Sequence, residues 1–512
     1  MPTDVLITGA GPVGLAAAIE LARFGLTVRI IDKAAERTDK SKALVIWSRT
    51  LELLDRSGCG PALLAAGSIC TTANLMSGAK NLARISFDGV DSPHPYALMI
   101  PQSETERVLD EHLQTLGIQV ERSVELTAFT QSESGVTCTL TKPSGGTETV
   151  EAVWLLACDG AHSTIRHLLT LPFEGDTLPS DWMLADVHLH GMPNPEEMHI
   201  FLHEAGILAI FPIGTAGESP RARVIANISN PNPTQALSEP TLADTQAILD
   251  QRGPGNVTAS DPVWLANFGI NERKIRDYRD SRVFLAGDSA HIHSPAGGQG
   301  MNTGIQDACN LAWKLALVQR GLCRPEPLLG SYSTERSPIA EQVLKSTGQL
   351  TALGTLHNEA LLALRNTAVK LILGFSTPRN AMANQLTELD VAYPESPLNT
   401  KGIPPSGTPN PGDRAPIRAG EPPVGAGDTP RFALYAAPGP NANQFIACFP
   451  ELLEPQPRAP FTPGSLCLVR PDGYVAFASD LDAWVQVDAY MVNLIYGPKQ
   501  KVRLYSASPD VL

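Results

Sequence analysis

Residues 4–8, Asp-Val-Leu-Ile-Thr, form a short apolar, partly β-branched run that stops at Gly9. Apolar positions then recur at helical spacing over residues 15–23, and a second apolar run covers residues 27–31. The order predicts strand, glycine turn, helix, strand. A crossover of that length makes the two strands parallel neighbours in a right-handed unit buried on both faces. From about residue 182 to 228 the pattern shortens to alternating stretches such as 199–202 and 207–213, broken by Gly and Pro, which predicts antiparallel sheet. Residues 283–286 return to a continuous buried strand, a long helix is expected over about 304–320, and residues 338–389 are helical in pattern. Residues 394–430 are rich in Pro and Gly without lasting periodicity and read as a linker. Beyond them, strands and short helices alternate in what should be a small unit of its own, although residues 485–512 carry no assignable pattern. No internal repeat is present.

Composition narrows the class. A chain of 512 residues with 43% hydrophobic content can bury a large core and is expected to hold about three domains. The formal charge of -14 leaves no basic footprint for nucleic acid or an anionic membrane. Eight cysteines, at 59, 70, 138, 158, 309, 323, 448 and 467, show no CxxC or zinc spacing and read as reduced, mostly buried thiols. The N-terminal apolar run is broken by Gly9, Gly11 and Pro12, and no stretch reaches the ~18 apolar residues of a membrane span. A cytoplasmic protein is expected.

Gly9-Ala10-Gly11-Pro12-Val13-Gly14 is a GxGxxG set between the first strand and helix. Its glycines permit a tight turn, a close backbone approach to a pyrophosphate and close helix packing, and the helix start adds unpaired N–H groups. Asp32 closes the second strand, where a carboxylate can accept from ribose hydroxyls. Two further motifs sit at strand ends: Cys158-Asp159-Gly160-Ala161-His162-Ser163 with Arg166, and Gly287-Asp288-Ser289-Ala290-His291. Each alone is more often a turn or cap than a ligand contact. The second continues from Pro295 through Gly297, Gly298, Gly300, Met301 and Asn302 into Asp307. A glycine-rich helix start of this kind suits a group on which negative charge develops.

At these residues the sequence resembles the aromatic hydroxylase group of single-component flavoprotein monooxygenases, with a para-hydroxybenzoate hydroxylase-like fold, over residues 1 to about 390. The resemblance implies an α/β chain with five parts. A Rossmann-like FAD-binding βαβ domain begins over 1–180, an antiparallel substrate-binding sheet is inserted over 181–275, and 276–393 complete the FAD domain with helices. A linker over 394–430 and a thioredoxin-like C-terminal domain over 431–512 follow. It implies FAD contacts from Gly9, Gly11, Pro12, Val13, Gly14, Asp32, Lys33, Lys42, Gln102, Arg107, Leu126, Asp159, Asp288, Pro295, Gly298, Gly300, Met301 and Asn302. Pro101-Gln102-Ser103 with Glu106-Arg107 and the helix at residues 49–54 match smaller family features. Lys42-Ala43 stands where the family usually has Arg-Ala, which keeps the charge and loses the forked donor.

The implied reaction uses NADPH or NADH and O2 to hydroxylate an aromatic, phenolic or polyketide-type small molecule through a flavin C4a-hydroperoxide. Trp47, His199, Phe201, His203 and Phe211 are candidates for the substrate pocket. No catalytic base is identified and no metal is implied, since His291 and His293 have no third ligand spaced to join them. A second GxGxxG and a CxxxxC pair are both missing, which argues against disulfide reductases and two-domain oxygenases. The Arg470-Pro471-Asp472-Gly473 turn resembles that of the family's thioredoxin-like domain. Without a CxxC, that unit reads as structural, in support of a homodimer interface. Two alternatives stand: a flavin-dependent reductase or dehydrogenase on the same scaffold, separated by oxygen dependence, and a flavoprotein that binds a partner without turnover.

Overall fold

The computed structural model describes residues 3–39, 43–143, 145–214, 220–228, 238–295, 297–354, 359–400 and 403–497. Lys42 and the last fifteen residues lie outside them.

The first strand, Thr3–Thr8, is the middle of a parallel array. It pairs with Val28–Asp32 on one side and Thr147–Ala157 on the other, and Val283–Leu285 and Glu121–Arg122 extend the array outward. Strands covered on both faces need continuous apolar runs, and Val5, Leu6, Ile7, Leu155, Leu156, Val283, Phe284 and Leu285 are all at or below 1% exposure. Thr147–Ala157 is long enough to pair twice, its first half continuing into an antiparallel ribbon with Val136–Thr141 and Glu125–Gln131. Helices Pro12–Arg23 and Gly300–Gln319 pack on this sheet. The second is buried on every side from Met301 to Leu317, and its polar stripe of Thr303, Gln306, Asp307, Asn310 and Lys314 is met by buried partners instead of solvent.

The second sheet also has eight strands, and the alternation at residues 182–228 supplies only its middle. Glu174–His190 pairs with both Arg221–Ile228 and Thr258–Lys274, and the meander continues through Gly206–Ile213 and Met198–His203. The outer members come from elsewhere: Thr72–Ser77 and Lys80–Ser86 from the N-terminal third, and His291–Ile292 from the loop after the third motif. This sheet therefore reaches beyond residues 181–275 in both directions and meets the first domain through paired backbone.

The C-terminal unit is a three-stranded antiparallel sheet, Ala433–Tyr435, Ser465–Val469 and Val475–Asp480, with helices Pro440–Cys448 and Trp484–Tyr496. Arg470-Pro471-Asp472-Gly473 turns between two of its strands, with Gly473 at φ +83°. The Pro/Gly-rich stretch before it is not a free linker. The Tyr393 N–H donates to Gly412 O at 2.9 Å, Gly412 to Val475 O at 2.7 Å, and Ala415 to Gly473 O at 2.9 Å, so the segment lies along the unit as a bonded strap. Proline-rich sequence lacks period, and here its backbone is satisfied by tertiary partners that no local pattern displays. Beneath the unit, Arg470 grips Glu335 at 2.7 and 3.0 Å, Lys314 reaches the same carboxylate at 2.7 Å, and Arg49 donates to Asp472 O at 2.7 Å.

Candidate functional site

At the carboxyl end of the parallel strands lies a cleft of about 220 Å³ lined by Gly9, Gly11, Asp32, Lys33, Leu126 and Asp159 among others. Open α/β sheets place ligands at this edge. Two of the three motif glycines are dictated by the chain itself. A Cβ on Gly9, which sits at φ +92°, would stand 2.1 Å from Cys158 O, and one on Gly14 would stand 1.9 Å from Gly9 O. Gly11 differs, because a Cβ there meets nothing within 4 Å. Its missing side chain keeps space open in the cleft, as a pyrophosphate lying on the helix start requires. Pro12 and Val13 open the helix, where proline lacks only an N–H that would be orphaned anyway.

Val13 ties the motifs together. A Cβ on Gly287 would lie 2.8 Å from its Cγ2, and one on Gly304 would lie 2.6 Å from the same atom. The Gly287-Asp288 motif and the long helix thus each set a glycine against the one valine of the first motif. Arg166 joins the remaining motif, donating to Ala161 O at 2.7 Å and to Ser289 O at 3.1 Å. Asp32 accepts from the Ala10 and Ala34 N–H groups, each at 2.7 Å, which fixes its carboxylate beside the glycine turn. Asp159 is less complete. Burial pushes its carboxyl above the usual range, and Oδ1 is buried without a hydrogen-bond partner. A buried acceptor left open at a cleft is the expected mark of a ligand contact. These features fit FAD, with the glycine cradle for its pyrophosphate and the two carboxylates for hydroxyl or amide donors.

At the other end, Gly297 (φ +89°) and Gly298 (φ +63°) turn the chain sharply ahead of Gly300. Pro295 is exposed and accepts from the Gly298 N–H at 2.9 Å, and Met301 is 9% exposed. Asn302 is fully buried; its amide donates to Val45 O and Gly298 O, each at 2.9 Å, while Oδ1 accepts from the Trp47 N–H at 2.8 Å. Asp288 stands exposed on the single turn Gly287–Ser289 at the strand end. Behind it, Asp307 lies 2.8 Å from His291 Nε2, accepts from Arg336 at 2.7 Å and from the Gly287 N–H at 3.1 Å, so His291 is part of the loop's frame. His293 Nε2 is buried without a partner, and burial beside His291 lowers its pKa to about 4.

Other expected contacts are held by neighbours on their own or adjacent segments. Gln102 donates to Glu106 at 2.9 Å and is tied to the Ala43 backbone, next to the undescribed Lys42. Arg107 lies on the outward side of helix Gln102–Thr115, paired with Glu104 at 2.9 Å and Glu111 at 2.8 Å, spacings that local helix geometry favours. The structure does not bring it to the cleft. Trp47 is 2% exposed, with its indole N–H on Gly297 O at 2.9 Å and its ring edge-on to Phe87, so it braces the loop instead of forming an open wall.

On the antiparallel sheet the two-residue period divides the candidates. Phe201 is 1% exposed in the core beneath helix Leu242–Arg252, and His199 stacks on it with Nε2 3.0 Å from Asn194 O. His203 shares their parity and accepts from the Ala205 N–H. These three therefore lie on the face away from Trp47. Phe211 lies on the near face, packed with Met198, Ile213, Met382 and Leu386 in the cluster that includes Trp47 and Phe87. In register beside it are Arg223, Asp186 and Trp264. Arg223 grips Asp186 through two 2.7 Å bonds, at 1% and 10% side-chain exposure. The sequence reading missed this pair; charged residues at inward positions of apolar strands were the signal available.

The comparisons agree with this geometry. Residues 2–347 match the FAD binding domain family. An uncharacterized aromatic compound monooxygenase of Bacillus subtilis is 36% identical over 397 residues, 77% of each chain. The anhydrotetracycline monooxygenase of Streptomyces rimosus is 36% identical over 419 residues, 79% of this chain and 80% of that one. Among solved structures, the anhydrotetracycline hydroxylase OxyS from Streptomyces rimosus superposes with a TM-score of 0.78 at 31% identity, covering 97% of this chain and all of that one. With its family match over residues 2–347 and these relatives, the chain belongs to the FAD binding domain family and is a flavin-dependent monooxygenase of the aromatic hydroxylase type.

Proposed function

We propose that the chain hydroxylates a planar aromatic or polyketide-type small molecule, with NADPH or NADH as reductant and O2 as oxygen source. The observation that carries this reading is the packing of Gly287 and Gly304 on Val13 of the first glycine motif, together with the open Asp159 acceptor in the cleft beside that motif and the Gly297–Gly298 turn at the start of the same long helix. Gly9, Gly11, Gly14, Asp32 and Asp159 would hold the ADP part of FAD, while Asp288 and residues 298–302 would border its ribityl chain and flavin ring. Bound FAD supplies hydride acceptance and oxygen activation. The chain's own part is to orient the substrate and exclude water.

For the substrate we infer the space between residues 298–302 and the near face of the antiparallel sheet. Phe211, Met198 and Ile213 offer apolar area there, and the Arg223–Asp186 pair offers a fixed polar edge. A fused-ring substrate is supported by the relatives named for anhydrotetracycline. None of the eight cysteines forms a disulfide and seven are buried, which supports placement in a reducing compartment such as the cytoplasm. No helix among the described residues is long and apolar enough to cross a membrane. We read the C-terminal unit as thioredoxin-like in descent and as support for a homodimer.

The test is NAD(P)H oxidation by the FAD-loaded protein against phenols and fused-ring polyketides, with labelled O2. Substrate-stimulated oxidation with one labelled oxygen atom in the product is expected. Conversion without label would move the assignment to a reductase or dehydrogenase.

A further inference from the structure

Glu388 follows helix Ser376–Leu386 and is 3% exposed, with φ at +59°, a region that non-glycine residues seldom enter. Its neighbours hold it there: the Glu388 N–H donates to Gln385 O, and the Arg49 N–H donates to Thr387 O. The side chain runs to the first two turns of helix Gly300–Gln319. Oε1 accepts from Thr303 Oγ1 at 3.3 Å and Oε2 from the Gln306 amide, which also reaches Thr50 Oγ1 at 3.3 Å. Thr303 follows directly on Gly300, Met301 and Asn302. A backbone held in an uncommon conformation, aiming a buried carboxyl at a helix start, calls for a reason.

The surrounding charges do not supply one. Arg336, on helix Ser331–Gly354, is the cation that acts on Glu388, but its guanidinium is bonded to Asp307 at 2.7 Å and to Tyr393 Oη at 2.9 Å. Asp307, on helix Gly300–Gln319, is in turn shared with His291. On helix Ser48–Arg56, Arg49 is engaged with Glu52 and Asp472 O. Asp390, on Glu388's own segment, is also an acid and opposes its charge. Among the described residues only uncharged donors meet the carboxyl, and burial pushes its pKa up to about 8.

We propose that Glu388 is a positioning residue for the flavin end of the site, whose proton sets how much of the positive end of helix Gly300–Gln319 is left for the reduced cofactor. The proposal rests on the reading that residues 298–302 border the flavin ring. Uncharged, Glu388 tethers Thr303 and Gln306 and leaves the helix start to its ligand. Ionised, it places a buried negative charge within two turns of that start, where the low dielectric gives the charge reach. Electron uptake at the ring adds negative charge at the same helix end, so reduction and loss of the Glu388 proton oppose each other, and the coupling is reciprocal. The electrons come from the reduced nicotinamide cofactor. The Glu388 proton exchanges with solvent.

The experiment equilibrates FAD-loaded protein anaerobically with a reference dye at pH 7 and pH 9 and reads the ratio of reduced to oxidised flavin. Normalised to Glu388→Gln, the wild-type ratio should fall about tenfold between the two values, within the range of ordinary site-to-site coupling. Parallel behaviour of the two proteins overturns the proposal. Should Glu388→Gln not fold, Thr303→Val keeps the β-branched shape, removes one donor to the carboxylate and should move the wild-type transition to higher pH; an unmoved transition counts against it. Infrared spectra separate this inference from the reading it rests on. A protonated carboxylic acid band at pH 7, lost in Glu388→Gln, tests the proton wherever the flavin lies, and absence of that band overturns the proposal. If the band is present while the potentials move in parallel, the coupling fails, and FAD affinity of Gly298→Val then reports whether the flavin position fails with it.

Discussion

The cleft beside the first glycine motif and the junction beneath the C-terminal unit both rest on buried carboxylate oxygens, but one is open where the other is closed. At the junction Glu335 takes Arg470 on both oxygens and Lys314 on one, while Asn310 and Ser396 fill further positions. The cations hold its carboxyl below the usual range, and Lys314 is itself lowered to about 8 because burial outweighs its acidic partners. At the cleft, Asp159 keeps one oxygen without a partner, and Gly11 faces empty space. Charge balanced within the chain fastens segments together, whereas a polar atom left open at a strand edge is able to take a ligand.

The largest expected effect breaks the closed side. Glu335→Gln leaves Lys314 buried against a neutral amide and Arg470 with Asp472 as its acidic partner, and should cost about 3 kcal/mol. A urea unfolding midpoint would show it, and a change near zero would mean that the junction is solvated and the contrast false. Next comes the glycine pair. Gly14→Val forces a Cβ into Gly9 O and should damage folding and FAD binding together. Gly11→Val should leave the midpoint in place while FAD affinity falls about 100-fold, equivalent to about 2.7 kcal/mol. An unaltered dissociation constant would move the pyrophosphate away from this turn.

Asp159→Asn sharpens the contrast further. It should weaken FAD binding about tenfold, and it should hold or slightly raise stability because a carboxylate no longer needs to be desolvated. A loss of stability without loss of affinity would make Asp159 a structural cap. The smallest effect concerns pH. The His293 pKa is lowered in the folded state from 6.5 to about 4, so on acidification the unfolded chain takes up the proton first. Its contribution to stability is present above 6.5 and is lost as pH falls from 6.5 towards 4. His293→Gln should flatten that part of the stability profile relative to wild type, and superimposable profiles would show that the imidazole is freely hydrated.

The contrast also sorts what could be read from the chain. Gly9, Gly11, Gly14, Asp32 and Asp159 could be picked out because backbone geometry at a strand–helix turn demands those residue types at fixed spacing, and the structure lines one cleft with Gly9, Gly11, Asp32 and Asp159 while Gly14 packs on Gly9. Arg107 was chosen by motif likeness alone, and helix geometry offered it Glu104 and Glu111 three and four residues away. His199, Phe201 and His203 lie on the face opposite Phe211 and Trp47, a division the sequence left open because a period of two names a pair of faces without saying what each one packs against. Glu388 gave no short-range signal, and for Arg223 and Asp186 the alternation marked two inward charges without showing that they pair, because the partners lie between 37 and about 85 residues away.

By itself, then, the sequence determined the elements whose causes are local: the βαβ unit, the three glycine turns, the alternating strands and the helix starts. Tertiary structure decided what depends on distant partners. It chose the face of the inserted sheet, drew Thr72–Ser77 and Lys80–Ser86 into that sheet, bonded the proline-rich strap to the C-terminal unit, and settled which buried charges close on one another. The physical reason is range: φ/ψ limits and periodicity act over a few residues, while pairing, burial and charge compensation act between whichever segments the fold brings together.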